Sequence, residues 1–176
     1  MQSSYKTAIH RTEPSFTVKT IEKSKLIKNQ IFDYGCGMGK DVQYLESKGY
    51  SVSFWDPYFF SKTPPSSFRS HSFRTIFCTY ILNVIPSKDR NDVIKKIQWL
   101  LYKEGKAFFT VRTSSDILEK ARKNRWKKKS DGWITKRGTF QKGFKSDELM
   151  NLIIRNGFKT AQIISTNPLI IEAKMN

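Results

Sequence analysis

Three glycines at alternate positions, Gly35, Gly37 and Gly39, follow the apolar run Ile31-Phe32-Asp33-Tyr34 and precede a segment with Val42 and Leu45 on one helical face. Strand, glycine loop and helix in that order make a ligand-holding turn, because a backbone without Cβ atoms can close on what it binds. A phosphate loop for nucleotide hydrolysis needs Gly-Lys-Ser or Gly-Lys-Thr. Here Gly39-Lys40 is followed by Asp41, whose charge would oppose phosphate and magnesium. A dinucleotide loop needs G-x-G-x-x-G, and the spacing here is G-x-G-x-G. The ligand that remains is a nucleoside without phosphates, carrying a positive sulfonium and an amino-acid end. Acidic neighbours suit it. Asp33 before the loop is placed to orient the loop or the amino-acid end. Asp56, 21 residues past Gly35 at the end of the next apolar run, suits a ribose diol, whose two hydroxyls can both donate to one carboxylate.

The elements that must position these groups alternate between β-branched or apolar runs and helical periodicity, the pattern of a parallel sheet flanked by helices. After the loop the spacing predicts a helix over 41–48 closed by Gly49, then a strand over 50–55 stopped by Asp56-Pro57. Residues 57–72 turn to Ser, Pro and Phe, a loop where an additional strand and helix of the sheet would be shortened. A buried strand and its turn are expected over 73–83, and a helix over 88–102 on Val93, Ile94, Ile97, Leu100 and Leu101. A strand over 106–112 and a helix over 147–156 ending at Gly157 follow, with late strands over 159–165 and 169–173 that can pair as an antiparallel hairpin. The expected architecture is α/β: a mostly parallel central sheet, helices on both faces and a C-terminal antiparallel hairpin. It forms one domain, 1–176, with an N-terminal arm 1–29 and a basic insertion 119–145.

Composition sets the outer bounds. With 38% hydrophobic residues, 13 Phe and 4 Trp the chain can bury a core despite its charge, which excludes a disordered or low-complexity protein. No stretch reaches the length of a membrane span, and two cysteines, Cys36 and Cys78, do not suggest a disulfide framework, so a cytoplasmic, membrane-free location is expected, without a metal site. The formal charge is +17. About half of it lies in 119–145, where eleven basic side chains face only Glu119 and Asp131. Arg122, Arg125, Lys127 and Lys128, interleaved with Trp126 and Trp133, combine phosphate neutralisation with stacking platforms. They are the expected substrate-binding residues, and a nucleic acid, RNA or DNA, is the expected partner; a solvated basic face is the competing reading. Lying after a strand of the sheet, the segment can also act as a lid.

FDYGCGMGKD followed by FWDPY resembles the first two motifs of class I S-adenosylmethionine-dependent methyltransferases, which have a Rossmann-like fold. TAIHRTEPS, CTYILNVIP and GTFQKGFKSDEL extend the resemblance to methyltransferases of phages and of DNA phosphorothioation gene neighbourhoods, over residues 6–160. The resemblance implies S-adenosylmethionine as cofactor, with Asp33, Tyr34, Gly35, Gly37 and Gly39 around its methionine part. It further implies Asp56 on the ribose and Pro57 and Tyr58 near the adenine. Thr79, Tyr80 and Asn83 would follow the next core strand beside the transferable methyl, Tyr80 and Asn83 as catalytic residues. Arg11, next to His10, can pair with the cofactor carboxylate in a forked geometry, an exposed basic arm being the competing reading.

Methyl transfer from a sulfonium is an in-line displacement with a neutral leaving group, so alignment is the main task. His10 and His71 do not fall at strand ends, and no general base is assigned. The Asp/Asn-Pro-Pro-Tyr/Phe tetrapeptide of amino-methylating enzymes is absent, Asn83-Val84-Ile85-Pro86 being no substitute, and neither cysteine has the proline neighbour of a cytosine C5 nucleophile. Direct transfer to a nucleic acid is the leading expectation. A small-molecule or nucleotide acceptor, and a cofactor-binding protein without transfer activity, are the alternatives.

Overall fold

The computed structural model describes residues 11–60 and 68–176. His10, and residues 61–67 of the Ser/Pro-rich loop, lie outside the described residues. Six strands form the main sheet in the order β2-β1-β3-β4-β9-β8: β1 (Ile31–Tyr34), β2 (Val52–Trp55), β3 (Phe73–Thr79), β4 (Leu101–Val111), β8 (Thr160–Thr166) and β9 (Leu169–Lys174). The first four are mutually parallel, whereas β9 runs antiparallel to β4 and pairs with β8 as the expected hairpin, turned by a cis Asn167–Pro168 bond.

Side-chain alternation along the strands sorts the core into two layers. Ile31, Phe77, Phe108 and Ile170 face helices α1 (Phe16–Lys23) and α2 (Lys40–Ser47) through Val18, Ile21 and Leu45. Phe32, Ile76, Phe109 and Ile171 face α3 (Ser87–Leu100) and α5 (Ser146–Arg155) through Ile94, Ile97, Leu149 and Ile153. Helices thus cover both faces, as the patterning predicts.

Three differences from the sequence reading have physical causes. The arm expected over 1–29 contains α1, capped by Ser15 Oγ, which accepts from the Val18 amide at 3.2 Å; the helix is locked by Thr17 Oγ1 and Thr110 Oγ1 at 3.0 Å in the core. The helix expected to reach Tyr102 stops at Leu100, and β4 begins at once with Leu101, fully buried opposite Phe73. Pairing then jumps to Thr75↔Lys106. Gly105 permits the bulge, since a Cβ there would lie 2.9 Å from the Tyr102 carbonyl and 3.0 Å from that of Arg74.

The third difference concerns the basic insertion. Residues 119–123 belong to helix α4 (Ser114–Lys123), started by Thr113, whose Oγ1 accepts from the Asp116 amide at 3.2 Å. Only after it does the chain form a three-stranded antiparallel meander, β5 (Lys127–Lys129), β6 (Gly132–Ile134) and β7 (Phe140–Gln141). Among the described residues, no strand lies outside β2, so the shortening expected after Pro57 leaves β2 at the sheet edge.

Candidate active site

Because β1 is flanked by β2 on one side and β3 on the other, the chain direction of the crossovers reverses at β1. A crevice opens at such a switch point beyond the strands' carboxyl ends. The glycine loop fills this position. Gly35, Gly37 and Gly39 have φ of +79°, +56° and +77°, a left-handed conformation that side chains resist. Gly35 is also spatially required: a Cβ would lie 2.3 Å from Ile81 Cδ1, whereas Cβ atoms at Gly37 and Gly39 would meet nothing within 4 Å. The loop therefore packs on one side and leaves room on the other.

Asp56, 6% exposed at the end of β2, accepts from the Gly37 amide at 3.0 Å through Oδ2 and from the Tyr58 amide at 2.9 Å through Oδ1. The carboxylate thereby fixes the loop to the neighbouring strand, and each oxygen keeps acceptor capacity for a further donor. Pro57 is half-buried and Tyr58 exposed beside it. Tyr34, expected around the ligand, instead packs its ring against Trp55 at 5.1 Å and Phe32 at 6.1 Å in the core. Gly37→Ala is expected to lower unfolding free energy by about 1–2 kcal/mol, the left-handed penalty, while binding of the loop's ligand falls at least about tenfold as the Cβ enters the open space. Urea unfolding and titration calorimetry separate the two effects. An unchanged affinity would remove Gly37 from the cradle.

Under the loop, Asp41 holds Arg11 beside the buried Asp33. Asp41, 1% exposed in the first turn of α2, accepts from the Ser15 amide at 2.6 Å and from both terminal nitrogens of Arg11 at 3.3 Å. Arg11, expected to pair with a ligand carboxylate, is thus held by Asp41 with its side chain 31% exposed. Asp33 is buried. Burial, followed by the charges of Asp41 and Asp56, raises its carboxyl well above the ordinary range, with Arg11 opposing and Asp41 the stronger neighbour. Folding therefore takes up a proton at Asp33. Its contribution to stability is present at low pH and is lost as pH rises from the ordinary carboxylate range through the raised folded value. Asp33→Asn is expected to flatten that slope, gaining stability relative to the parent as pH rises in urea titrations; parallel slopes would refute the assignment.

At the end of β3, Tyr80 takes φ +61°, costly for a non-glycine residue, with its amide bonded to the Thr110 carbonyl at 2.8 Å. Burial raises its phenol pKa, while the guanidiniums of Arg112 and Arg11 lower it; the Arg112 group lies 5.7 Å from the ring centroid. The phenol is neutral and available for hydrogen bonding. Asn83, 1% exposed, donates from Nδ2 to Gln141 Oε1 at 3.4 Å, and its carbonyl accepts from the Lys142 amide at 2.7 Å. Thr79 Oγ1 and Asn83 Oδ1 are buried without a partner, two polar atoms that a ligand could satisfy. Both cysteines are buried free thiols, kept protonated by desolvation first and by the neighbouring Asp33 next. His71 sits outside this site, its Nδ1 2.9 Å from the Leu101 carbonyl.

The meander is fastened to the same edge by a residue that sequence patterning does not single out. Arg90 of α3, 3% exposed, donates to the carbonyls of Leu82 and Ile85 at 3.0 Å each and to the carboxylate of Asp131 in the β5–β6 turn, between the rings of Phe140 and Phe144. Of the expected substrate-binding residues, Arg122, Arg125, Lys127 and Lys128 are exposed, Arg122 on α4 and the others beyond it. Trp133 is covered by Lys128, whose Nζ lies 4.8 Å from the ring, whereas Trp126 lines a cleft of about 330 Å³ between α4 and the meander. Among the described residues there is no cluster of metal-ligating side chains, and no helix is long and apolar enough to cross a membrane.

No protein-family model and no curated protein match the chain in sequence. Solved structures do match. A S-adenosylmethionine-dependent methyltransferase from Methanosarcina mazei superposes with a TM-score of 0.68 at 20% identity, covering 88% of this chain and 97% of that one. The 1,6-didemethyltoxoflavin-N1-methyltransferase of Burkholderia thailandensis, bound to 1,6-didemethyltoxoflavin and S-adenosylhomocysteine, gives 0.65 at 16% identity over 92% and 78%. A glycopeptide N-methyltransferase in complex with S-adenosylmethionine gives 0.62 at 13% identity over 96% and 89%. The chain has the Rossmann-like methyltransferase fold, as the motifs imply.

Proposed function

We propose that this chain is a S-adenosylmethionine-dependent methyltransferase and that its acceptor is a nucleic acid. The observation that carries the first part is the cradle at the switch point: three left-handed glycines tied through the Gly37 amide to a buried Asp56 that retains acceptor capacity. The fit to the cofactor is good on chemical grounds. Open space beside Gly37 and Gly39 suits a ligand backbone, and Asp56 a ribose diol. Arg11, oriented by Asp41, would take a carboxylate, and Tyr58 would lie near an adenine.

When bound, the cofactor supplies an electrophilic methyl on a sulfonium whose departure leaves a neutral thioether. The protein's part is alignment. Thr79, Tyr80 and Asn83 stand at the β3 end, where Asn83 Oδ1 can accept a hydrogen bond from an acceptor N–H and so turn its lone pair toward the methyl. No residue there serves as a strong base at neutral pH, since the Tyr80 phenol is raised and both thiols stay protonated. The acceptor's own nucleophilicity must suffice.

The exposed cations of Arg122, Arg125, Lys127 and Lys128 support a polyanionic acceptor, as does the resemblance to methyltransferases of phages and phosphorothioation neighbourhoods. A cytoplasmic setting accords with the unpaired thiols of Cys36 and Cys78. A small-molecule acceptor is the second reading, favoured by the cleft of about 330 Å³ and by the toxoflavin precursor named for one relative. Incubation with methyl-labelled cofactor and separate pools of RNA, duplex DNA and small-molecule extract tests these readings. Label is expected in a nucleic-acid pool; label confined to the extract would replace it with the second reading, and no label in any pool would favour binding without transfer.

A further inference from the structure

The cleft between α4 and the meander has features that the methyl-transfer reading alone does not use. Arg112, Lys120, Lys136 and Arg137 bring four cations to it from the end of β4, from α4 and from the β6–β7 turn. Asp116 pairs with Arg112 at 3.1 Å and Lys120 at 2.8 Å. Burial pushes the Asp116 carboxyl up, but the hydrogen bonds and charges of Lys120 and Arg112 together hold it below its usual range. Lys136 and Arg137 have no hydrogen-bond or carboxylate partner among the described residues. Their turn is nonetheless built: Thr135 and Thr139 bond each other through hydroxyls at 2.7 Å, the Thr139 amide donates to Thr135 Oγ1 at 3.2 Å, and the Thr135 amide donates to the Thr139 carbonyl at 2.9 Å. Two unpartnered cations on a fixed turn, next to the half-buried indole of Trp126, match a phosphate carried by a flat ring system.

The cleft also communicates with the transfer point. Gln141 lines it and accepts from Asn83, and Arg112 lines it with its guanidinium near the Tyr80 ring. Its volume of about 330 Å³ is that of a pocket for one small ligand rather than of a groove for a duplex. We infer that this cleft takes a single unstacked nucleotide unit, its phosphate on Lys136 and Arg137 and its base against Trp126, delivering the acceptor toward Tyr80 and Asn83. The inference rests on the proposed methyl transfer and names the part of the acceptor that the protein grips. A free nucleotide and one nucleotide of a single strand share this chemistry.

The test compares two charge-matched variants of the full chain, Lys136→Ala/Arg137→Ala and Lys95→Ala/Lys96→Ala, the latter pair being exposed on α3 outside the cleft. Binding of a labelled ten-nucleotide single-stranded RNA at moderate salt is measured by anisotropy, with nucleoside monophosphate as competitor and with calorimetric titration of S-adenosylhomocysteine alongside. The cleft pair is expected to weaken RNA binding about tenfold or more and to abolish competition by the monophosphate, whereas the α3 pair costs about threefold or less. S-adenosylhomocysteine binding should be equal in all three proteins. Equal losses for the two pairs would overturn the nucleotide cleft and leave the methyltransferase reading standing; absence of S-adenosylhomocysteine binding in the parent would overturn the methyltransferase reading itself. Trp126→Leu, which keeps an apolar filler, is expected to reduce the monophosphate competition as well, and a variant that competes like the parent would contradict the stacking role.

Discussion

Asp56→Ala should reduce affinity for S-adenosylhomocysteine about a hundredfold or more, the largest effect expected of any single change in the cradle. A ribose diol would give this carboxylate two charge-assisted hydrogen bonds, each worth about 1.5–3 kcal/mol, and alanine removes both. It also frees the Gly37 and Tyr58 amides, so the loop loses its tie to β2 at the moment a ligand must be held. Asp56→Asn separates the two contributions. Its remaining carbonyl oxygen can serve one amide and one hydroxyl, without the charge, and a loss of about tenfold is expected. Calorimetry on both variants, with circular dichroism to show that the sheet is intact, decides the matter. Equal affinity of Asp56→Ala and the parent would show that the carboxylate only shapes the loop.

The second large effect is on stability and lies far from the glycines. Arg90→Met keeps much of the aliphatic stem but removes donors to the carbonyls of Leu82 and Ile85 and the pairing with Asp131. The buried Leu82 carbonyl and the part-buried Ile85 carbonyl lose this donor, so a loss of about 2–4 kcal/mol in unfolding free energy is expected. Asp131→Asn should cost less, about 1 kcal/mol, because that side chain is 35% exposed and its loss leaves the two carbonyl bonds intact. Asp131 supplies a pH signature too. Although partial burial acts to raise it, hydrogen bonding to Arg90 holds its carboxyl below the usual range, so the stability it contributes is present above the ordinary carboxylate value and disappears as pH falls through the folded one. Protease cleavage within 127–141 should accelerate in Arg90→Met. A variant within about 0.5 kcal/mol of the parent would mean that the meander is held by packing alone.

The cradle was legible in the sequence because its determinants are local. Gly35, Gly37 and Gly39 announce backbone conformations that only glycine adopts cheaply, and Asp56 follows a strand that Pro57 must end. What pairs across the fold was not legible. Asp41 and Arg11 are 30 positions apart, and nothing in either neighbourhood says that one will hold the other. Arg90 sits in a helix full of charges and reads as solvent-facing, yet it is the most connected side chain of the meander's attachment.

Two boundaries were hidden by composition. Leu101 and Tyr102 continue the apolar periodicity of α3 with no Gly or Pro between, so the helix reads two residues too long; the decisive contact, Leu101 opposite Phe73, is tertiary. Helix α4 buries only Ile117 and Ala121, and its basic last turn merges with the charge run that follows, so composition alone starts the insertion at 119. The signal that marks its start is Thr113 three residues before Asp116, a cap followed by an acid in the first turn.

The central claim is that the turn between β1 and α2 holds an adenosyl sulfonium without phosphates. Titration calorimetry of the purified chain with S-adenosylhomocysteine, alongside ATP and NAD under the same conditions, tests it most directly. A single saturable site for S-adenosylhomocysteine alone, lost in Asp56→Ala, is the expected result. No saturable heat with S-adenosylhomocysteine, or equal binding of a phosphate-bearing nucleotide that competes for the same site, would contradict it.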